Sequence, residues 1–225
     1  MRPGTGAKLD AGMIATAALE LLDESGVDGL TMRKVAAALG VQAPALYWHV
    51  KNKRELLDAM ARALFVSSVH GLEAPRRETD WEEWLMELAG RLRSALLRYR
   101  DGARVMAGTD ISDESLWRVT ELILRTLEDA GFSIHEAARV FPILLHYTIG
   151  FVIEEQARAG LEYPDGNPYR PDRLAQVVDG ERYPLTAQMV GDLFTTDQDA
   201  EFDHGLRVIL AGIRATTGQR PSEGG

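Results

Sequence analysis

Apolar residues recur at helical spacing along most of the chain, and the breaks between runs fall at Gly, Pro and Asn. Ile14, Ala18, Leu21 and Leu22 form a first stripe, with Asp10 placed to cap its start and Gly26 to end it in a left-handed conformation. Thr31 can cap a second helix whose stripe is Val35, Ala36 and Leu39, closed by Gly40 before the connector Val41-Gln42. Ala43-Pro44 opens a short third helix, because a proline in a first turn lacks only an N–H that would go unpaired anyway; Lys51-Asn52 breaks it. A fourth helix runs from about Lys53 to Ser68 on Leu56, Leu57, Met60 and Leu64.

Beyond His70-Gly71 and Pro75 the period resumes at Trp81. It passes through Trp84, Leu85, Leu88, Leu92 and Leu96, then through Leu116, Val119, Ile123 and Leu127, with Gly102, Gly108 and Gly131 as punctuation. A long apolar segment covers about Ile134 to Gly160, and the Pro-, Gly- and Asp-rich stretch from Tyr163 to Gly180 reads as a loop or linker. Two helices follow, the last over Glu201 to Thr216 on Phe202, Leu206, Ile209, Leu210 and Ile213, before a polar tail from Gly218. Strand-like alternation and internal repeats are absent, so the expected class is all-α.

With 225 residues, 45% of them hydrophobic, the chain can bury a sizeable core. It has no cysteine, which excludes disulfides, thiolate metal sites and cysteine nucleophiles. The N-terminus lacks the apolar run of a secretory signal, and no uninterrupted apolar stretch approaches the roughly 20 residues that span a bilayer. A cytoplasmic protein without a membrane partner is expected.

The net charge of −9 opposes nucleic-acid binding as a sum, but its division along the chain changes the picture. Through Arg62 there are eight Lys/Arg against seven Asp/Glu, leaving 17 against 27 for the remainder. Between Asp28 and Glu55 no acid occurs, while Arg33, Lys34, Lys51, Lys53 and Arg54 supply positive charge for phosphates. Thr31 to Val50 has the arrangement of a helix-turn-helix. Ala36, Leu39, Val41 and Leu46 pack the two helices, leaving Gln42, Ala43, Ala45, Tyr47 and Trp48 outward. Tyr47, Pro44 and Ala45 can meet thymine methyls, Gln42 a base edge, and Arg33 can fork onto a guanine. Thr31, His49 and Lys53 suit phosphates. On physics alone, three ordinary amphipathic helices with solvated lysines would look the same.

The run GVDGLTMRKVAAALGVQAPALYWHVKNKRELLDA, from Gly26 to Ala59, strongly resembles the DNA-binding head of the tetracycline-repressor (TetR) family. The resemblance implies that Arg33, Pro44 and Tyr47 touch bases and that Thr31, His49 and Lys53 hold phosphates. Ala43 stands where tetracycline-binding members have glutamine, which implies a different operator sequence. SALLRYRDGARVMAGT, EDAGFS, IGFVIEEQ and AEFDHGLRVILAGI are similar, in the same order, to segments of the tetracycline-binding subclass. The implied architecture is a helix-turn-helix head over 1–68, including its linking helix, a ligand-binding and dimerisation body over 69–217, and a tail over 218–225. The helices Ile134 to Gly160 and Glu201 to Thr216 would form a four-helix bundle with their mates in a homodimer that binds a palindromic operator.

The likeness weakens in the pocket. Tetracycline-binding members hold a magnesium–drug chelate through a histidine where this chain has Met106, and a thioether is a poor ligand for a hard cation. Leu88 and Leu92 replace an asparagine and a phenylalanine that line the drug, and Val69 falls near another drug-contacting histidine. No metal and no cofactor is therefore expected, and tetracycline itself is disfavoured. The expected inducer is a more apolar or aromatic molecule lined by Trp84, Leu88, Leu92, Met106, Ile123, Phe141 and Pro142 and oriented by His70, Thr109 or Glu154. The family relationship further implies control of an adjacent efflux or resistance gene. An enzyme is not expected: the chain has no Gly-rich phosphate loop, no HExxH and no plausible Ser/His/Asp set.

Overall fold

Asp10 accepts a hydrogen bond from the Met13 backbone N–H at 2.8 Å, and α1 (Ala11–Glu20) begins there. The structure, a computed structural model, describes residues 9–76, 80–158, 166, 170–193 and 197–216. α2 (Leu22–Gly29) follows across Leu21, whose backbone stays helical, and Gly26 interrupts it at φ 59°, where the first helix is expected to end. α3 (Met32–Leu39) is capped by Thr31, whose hydroxyl accepts from Lys34 N–H at 3.3 Å, and closes at Gly40 with φ 68°. α4 (Ala43–Tyr47) follows with Pro44 in its first turn. Asn52 caps α5 (Lys53–Ser68) by accepting from Glu55 N–H at 2.9 Å.

The body continues with α6 (Trp81–Leu97), α7 (Gly102–Met106), α8 (Glu114–Asp129), α9 (Ile134–Arg158), α10 (Pro171–Val177), α11 (Pro184–Leu193) and α12 (Gln198–Thr216). Among the described residues every regular element is a helix, as an all-α chain requires. Two short helices escape the periodicity. α7 is too brief for an apolar stripe, and α10 lies inside the stretch expected to be a loop. Pro171 at its first turn and the Arg170–Asp172 ion pair at 2.9 Å are its start signals. Tyr163 and the tail from Gly218 lie outside the described residues.

Two compact units result, residues 1–149 and 150–225, with the division inside α9. In the first unit α5 packs against α1 on one side and against α6 and α7 on the other. Its buried face (Leu56, Met60, Ala61, Leu64, Phe65) is shared by the head and the first half of the body. In the second unit Phe151 and Phe202 meet edge to face at 5.2 Å, above the buried Leu206 and Leu210.

By length and composition α9 is long and apolar enough to cross a bilayer. Its apolar residues are interleaved with His146, Tyr147 and Thr148, so the apolar character emerges only as an average along the helix. Exposed Ile134 and Ile143 on this helix and Val208 on α12 are large apolar side chains left uncovered in the single chain.

Candidate nucleic-acid interface and ligand cleft

Gly40 in its left-handed conformation turns the chain so that Val41 N–H reaches Ala36 O at 3.0 Å and α4 starts immediately afterwards. Buried Val35, Ala36, Leu46 and Val50 hold α3 and α4 together, while Leu39 and Val41 are half-buried. The opposite surface carries Gln42, Pro44, Tyr47, Trp48 and His49, all exposed, with Ala43 and Ala45 half-buried beside them. Tyr47 is 48% and Trp48 88% exposed, an unusual placement for aromatics unless a partner covers them.

The cations around this face divide into two groups. Arg33 is exposed and makes no ion pair among the described residues. Lys34 Nζ donates to Gly29 O at 2.9 Å, and Lys53 Nζ donates to Val27 O at 2.9 Å and to Asp28 O at 3.5 Å. Both ammonium groups thus satisfy carbonyls at the end of α2, where the helix leaves them unpaired. Lys53 retains one further N–H for a phosphate. Lys51 pairs loosely with Glu55 at 4.0 Å, and Arg54 donates to Gly108 O and pairs with Asp58 at 3.3 Å. Of the five cations between Asp28 and Glu55, Lys34 and Lys53 therefore anchor the end of α2 as well as charging the surface.

The end of α2, Gly26–Asp28, docks on the start of α7. Asp101, buried and left-handed at φ 59°, accepts from Val27 N–H at 2.8 Å, and Arg104 bridges Asp28 at 2.9 Å and Asp101 at 3.3 Å. The Asp28 hydrogen bond, aided by the Asp101 charge, raises the Arg104 pKa above its ordinary value. Arg100 N–H adds a 3.0 Å bond to Asp23.

A small apolar cleft lies between α5, α6 and α9. Phe65, Ser68 and Val69 line it from the α5 side, Leu88, Ala89 and Leu92 from α6, and Phe141, Leu144, Leu145 and Thr148 from α9. Phe65 and Phe141 stand edge to face at 6.5 Å. Very little of the space admits a water molecule, so any larger guest would have to move the helices apart.

The structure brings together Leu88, Leu92 and Phe141 of the sequence-expected ligand residues. The others do not line it. Trp84 is buried and donates to Glu73 O at 3.0 Å, and His70 is exposed, its carbonyl held by Arg91 at 3.2 Å. Met106 and Ile123 are buried, Thr109 donates to Met106 O at 2.7 Å, and Pro142 is exposed. Glu154 belongs to the second unit, where it is exposed and pairs with Arg158 at 3.7 Å. Sequence reading did not assign Phe65, Ser68, Ala89, Leu144, Leu145 and Thr148 to the cleft. The signal was available, because Ser68 continues the Leu64 stripe of α5, and Leu144, Leu145 and Thr148 follow Phe141 at steps of three, four and seven.

The cleft is a poor match for magnesium. Its side-chain oxygens are the two hydroxyls of Ser68 and Thr148, with no carboxylate or imidazole, whereas magnesium demands hard oxygen donors in octahedral array. Buried Met106 offers only a thioether.

Two family descriptions match the chain. Residues 14–60 match bacterial regulatory proteins of the tetR family, and residues 74–217 match the tetracyclin repressor-like C-terminal domain. The chain is 41% identical over 206 residues to the tetracycline repressor protein class A from transposon 1721 of Escherichia coli, spanning 92% of this chain and 91% of that protein. It superposes with a TM-score of 0.79 on the crystal structure of a possible TetR family transcriptional regulator from Streptomyces coelicolor A3(2), with 39% identity and 92% and 99% of the two chains covered. A TM-score of 0.79 is also reached, at 28% identity and over 95% and 99% of the chains, with the Streptomyces coelicolor TetR family protein ActR in complex with actinorhodin.

Proposed function

The chain belongs to the TetR family of transcriptional regulators, and on that premise we propose that it represses an adjacent efflux or resistance gene by binding a palindromic operator, and releases it when an apolar or aromatic molecule enters the α5–α6–α9 cleft. It is a ligand-responsive repressor and not an enzyme. Two copies form the working unit, with α9 and α12 taking part in a four-helix bundle across the two-fold axis. In that dimer two α4 helices enter successive major grooves, in the cytoplasm where the DNA lies. Tyr47, Pro44, Ala43, Ala45, Gln42 and Arg33 meet bases, while Thr31, Trp48, His49 and Lys53 meet the backbone.

One observation carries the regulatory half of this reading: α5 belongs to both sites. Its buried face packs on α1 of the head, and its last turn, with Phe65 and Ser68, lines the cleft. A ligand releases DNA only by favouring the conformation with displaced heads, and a 100-fold loss of operator affinity needs about 2.7 kcal/mol of that preference. A molecule wedged between α5 and α6 acquires such a preference by shifting the end of α5, and with it the half-site spacing.

The ligand binds without magnesium, since the cleft offers no hard-donor set, and tetracycline is not the inducer despite the name of the Escherichia coli relative. Release of operator DNA by a panel of aromatic compounds, each tested with magnesium and with chelator, tests the reading. Release by an apolar aromatic in chelator is expected; release by tetracycline with magnesium alone would overturn the ligand assignment.

A further inference from the structure

We propose that Thr148 recognises a single hydroxyl or carbonyl oxygen on an otherwise apolar ligand, which deepens the ligand reading above and rests on it. Thr148 is fully buried, lines the cleft among Phe65, Leu88, Leu92 and Leu144, and its Oγ1 has no hydrogen-bond partner. A helical threonine ordinarily gives its hydroxyl to the carbonyl one turn earlier, and this chain does so elsewhere: Thr126 donates to Leu122 O at 2.7 Å and Thr16 to Gly12 O at 3.0 Å. Thr148 makes no such bond to Leu144. The other hydroxyl of the cleft is already used, because Ser68 Oγ donates to Phe65 O at 2.7 Å.

An unpaired hydroxyl in an apolar enclosure is costly, and valine would fill the same volume without that cost. The Thr148 hydroxyl therefore gains its partner when the cleft opens around a guest. It can donate to a carbonyl or phenolate-like oxygen, or accept from a hydroxyl. The surrounding residues offer only hydrocarbon contact, so the guest carries one polar atom towards α9 and apolar surface elsewhere.

Two probes that differ only in a hydroxyl, 1-naphthol and naphthalene, test this on the full-length wild type and on Thr148→Val. Calorimetric titration gives the ratio of the two affinities, and thermal melting of the ligand-free proteins gives the cost of the empty hydroxyl. The naphthol-to-naphthalene affinity ratio is expected to fall about two- to tenfold in Thr148→Val. The melting temperature of the ligand-free variant is expected to rise by about 2–4 °C. A lower melting temperature would mean the hydroxyl is already spent within the fold, and an unchanged ratio would mean it does not touch the guest; either overturns the proposal. Failure of the wild type to bind either probe also overturns it, while leaving the repressor reading to stand on its operator.

Discussion

Val27 and Asp101 are joined by a 2.8 Å hydrogen bond from a backbone N–H in the DNA-binding head to a buried carboxylate at the mouth of α7, 74 residues away in sequence. The left-handed backbone of Asp101 and the kink at Gly26 bring the two together, and a Cβ on Gly26 would stand 2.9 Å from the same carboxylate. The head is thus fastened to the body at a second point, independent of α5.

Asp101→Ala leaves the Val27 N–H buried without an acceptor and is expected to cost about 1–3 kcal/mol in urea unfolding. Asp101→Asn keeps an acceptor oxygen and tolerates the left-handed backbone, so a smaller loss is expected. Equal losses would mean that the charge facing Arg104 matters more than the hydrogen bond.

Gly102→Ala places a Cβ against the Leu96 carbonyl oxygen, a backbone atom that cannot swing away. The expected result is destabilisation of about 1–3 kcal/mol or more, seen as a lowered melting temperature or loss of folded protein. A wild-type melting curve would contradict the close approach of α6 and α7.

Arg62 is exposed on α5, between the end that packs on the head and the end that lines the cleft. Arg62→Gly softens the helix by about 1 kcal/mol without opening the core. Ligand-free operator affinity is expected to stay within about twofold, while any compound that releases the wild type releases the variant less completely. Undiminished release would remove α5 as the transmitting element.

Asp113 caps α8, and the hydrogen bond from the Ser115 backbone N–H holds its carboxyl below the ordinary carboxylate range. The stabilisation is present above the unfolded pKa of about 3.9 and is lost as pH falls through the lower folded value. Asp113→Asn keeps the cap without the charge, so the stability difference between wild type and variant is expected to shrink as pH drops from about 5 to 2. A difference constant across that range would contradict the assignment.

The helix-turn-helix was legible because each of its devices is local. Thr31, Gly40 and Pro44 announce a cap, a left-handed turn and a first helical turn, and all three stand as expected. α10 was hidden by the Pro and Gly content of its surroundings, although Pro171 itself starts the helix. Of the residues expected to surround a ligand, Leu88, Leu92 and Phe141 line the α5–α6–α9 cleft, whereas Trp84, Met106 and Ile123 are buried without lining it, because helical period reports burial without saying which buried faces meet. Lys34 and Lys53 look like free cations in sequence, and only the fold shows that they also hold the end of α2.

The most direct test of the central claim is selection of bound duplexes from a random pool at near-physiological salt, run in parallel with Tyr47→Ala. A palindromic sequence recovered by the wild type and lost by the variant is expected, with half-sites about one helical turn apart. Recovery of no common sequence, with binding that disappears as salt rises, would mean that the face bearing Tyr47 and Trp48 is only a basic surface and would contradict the account.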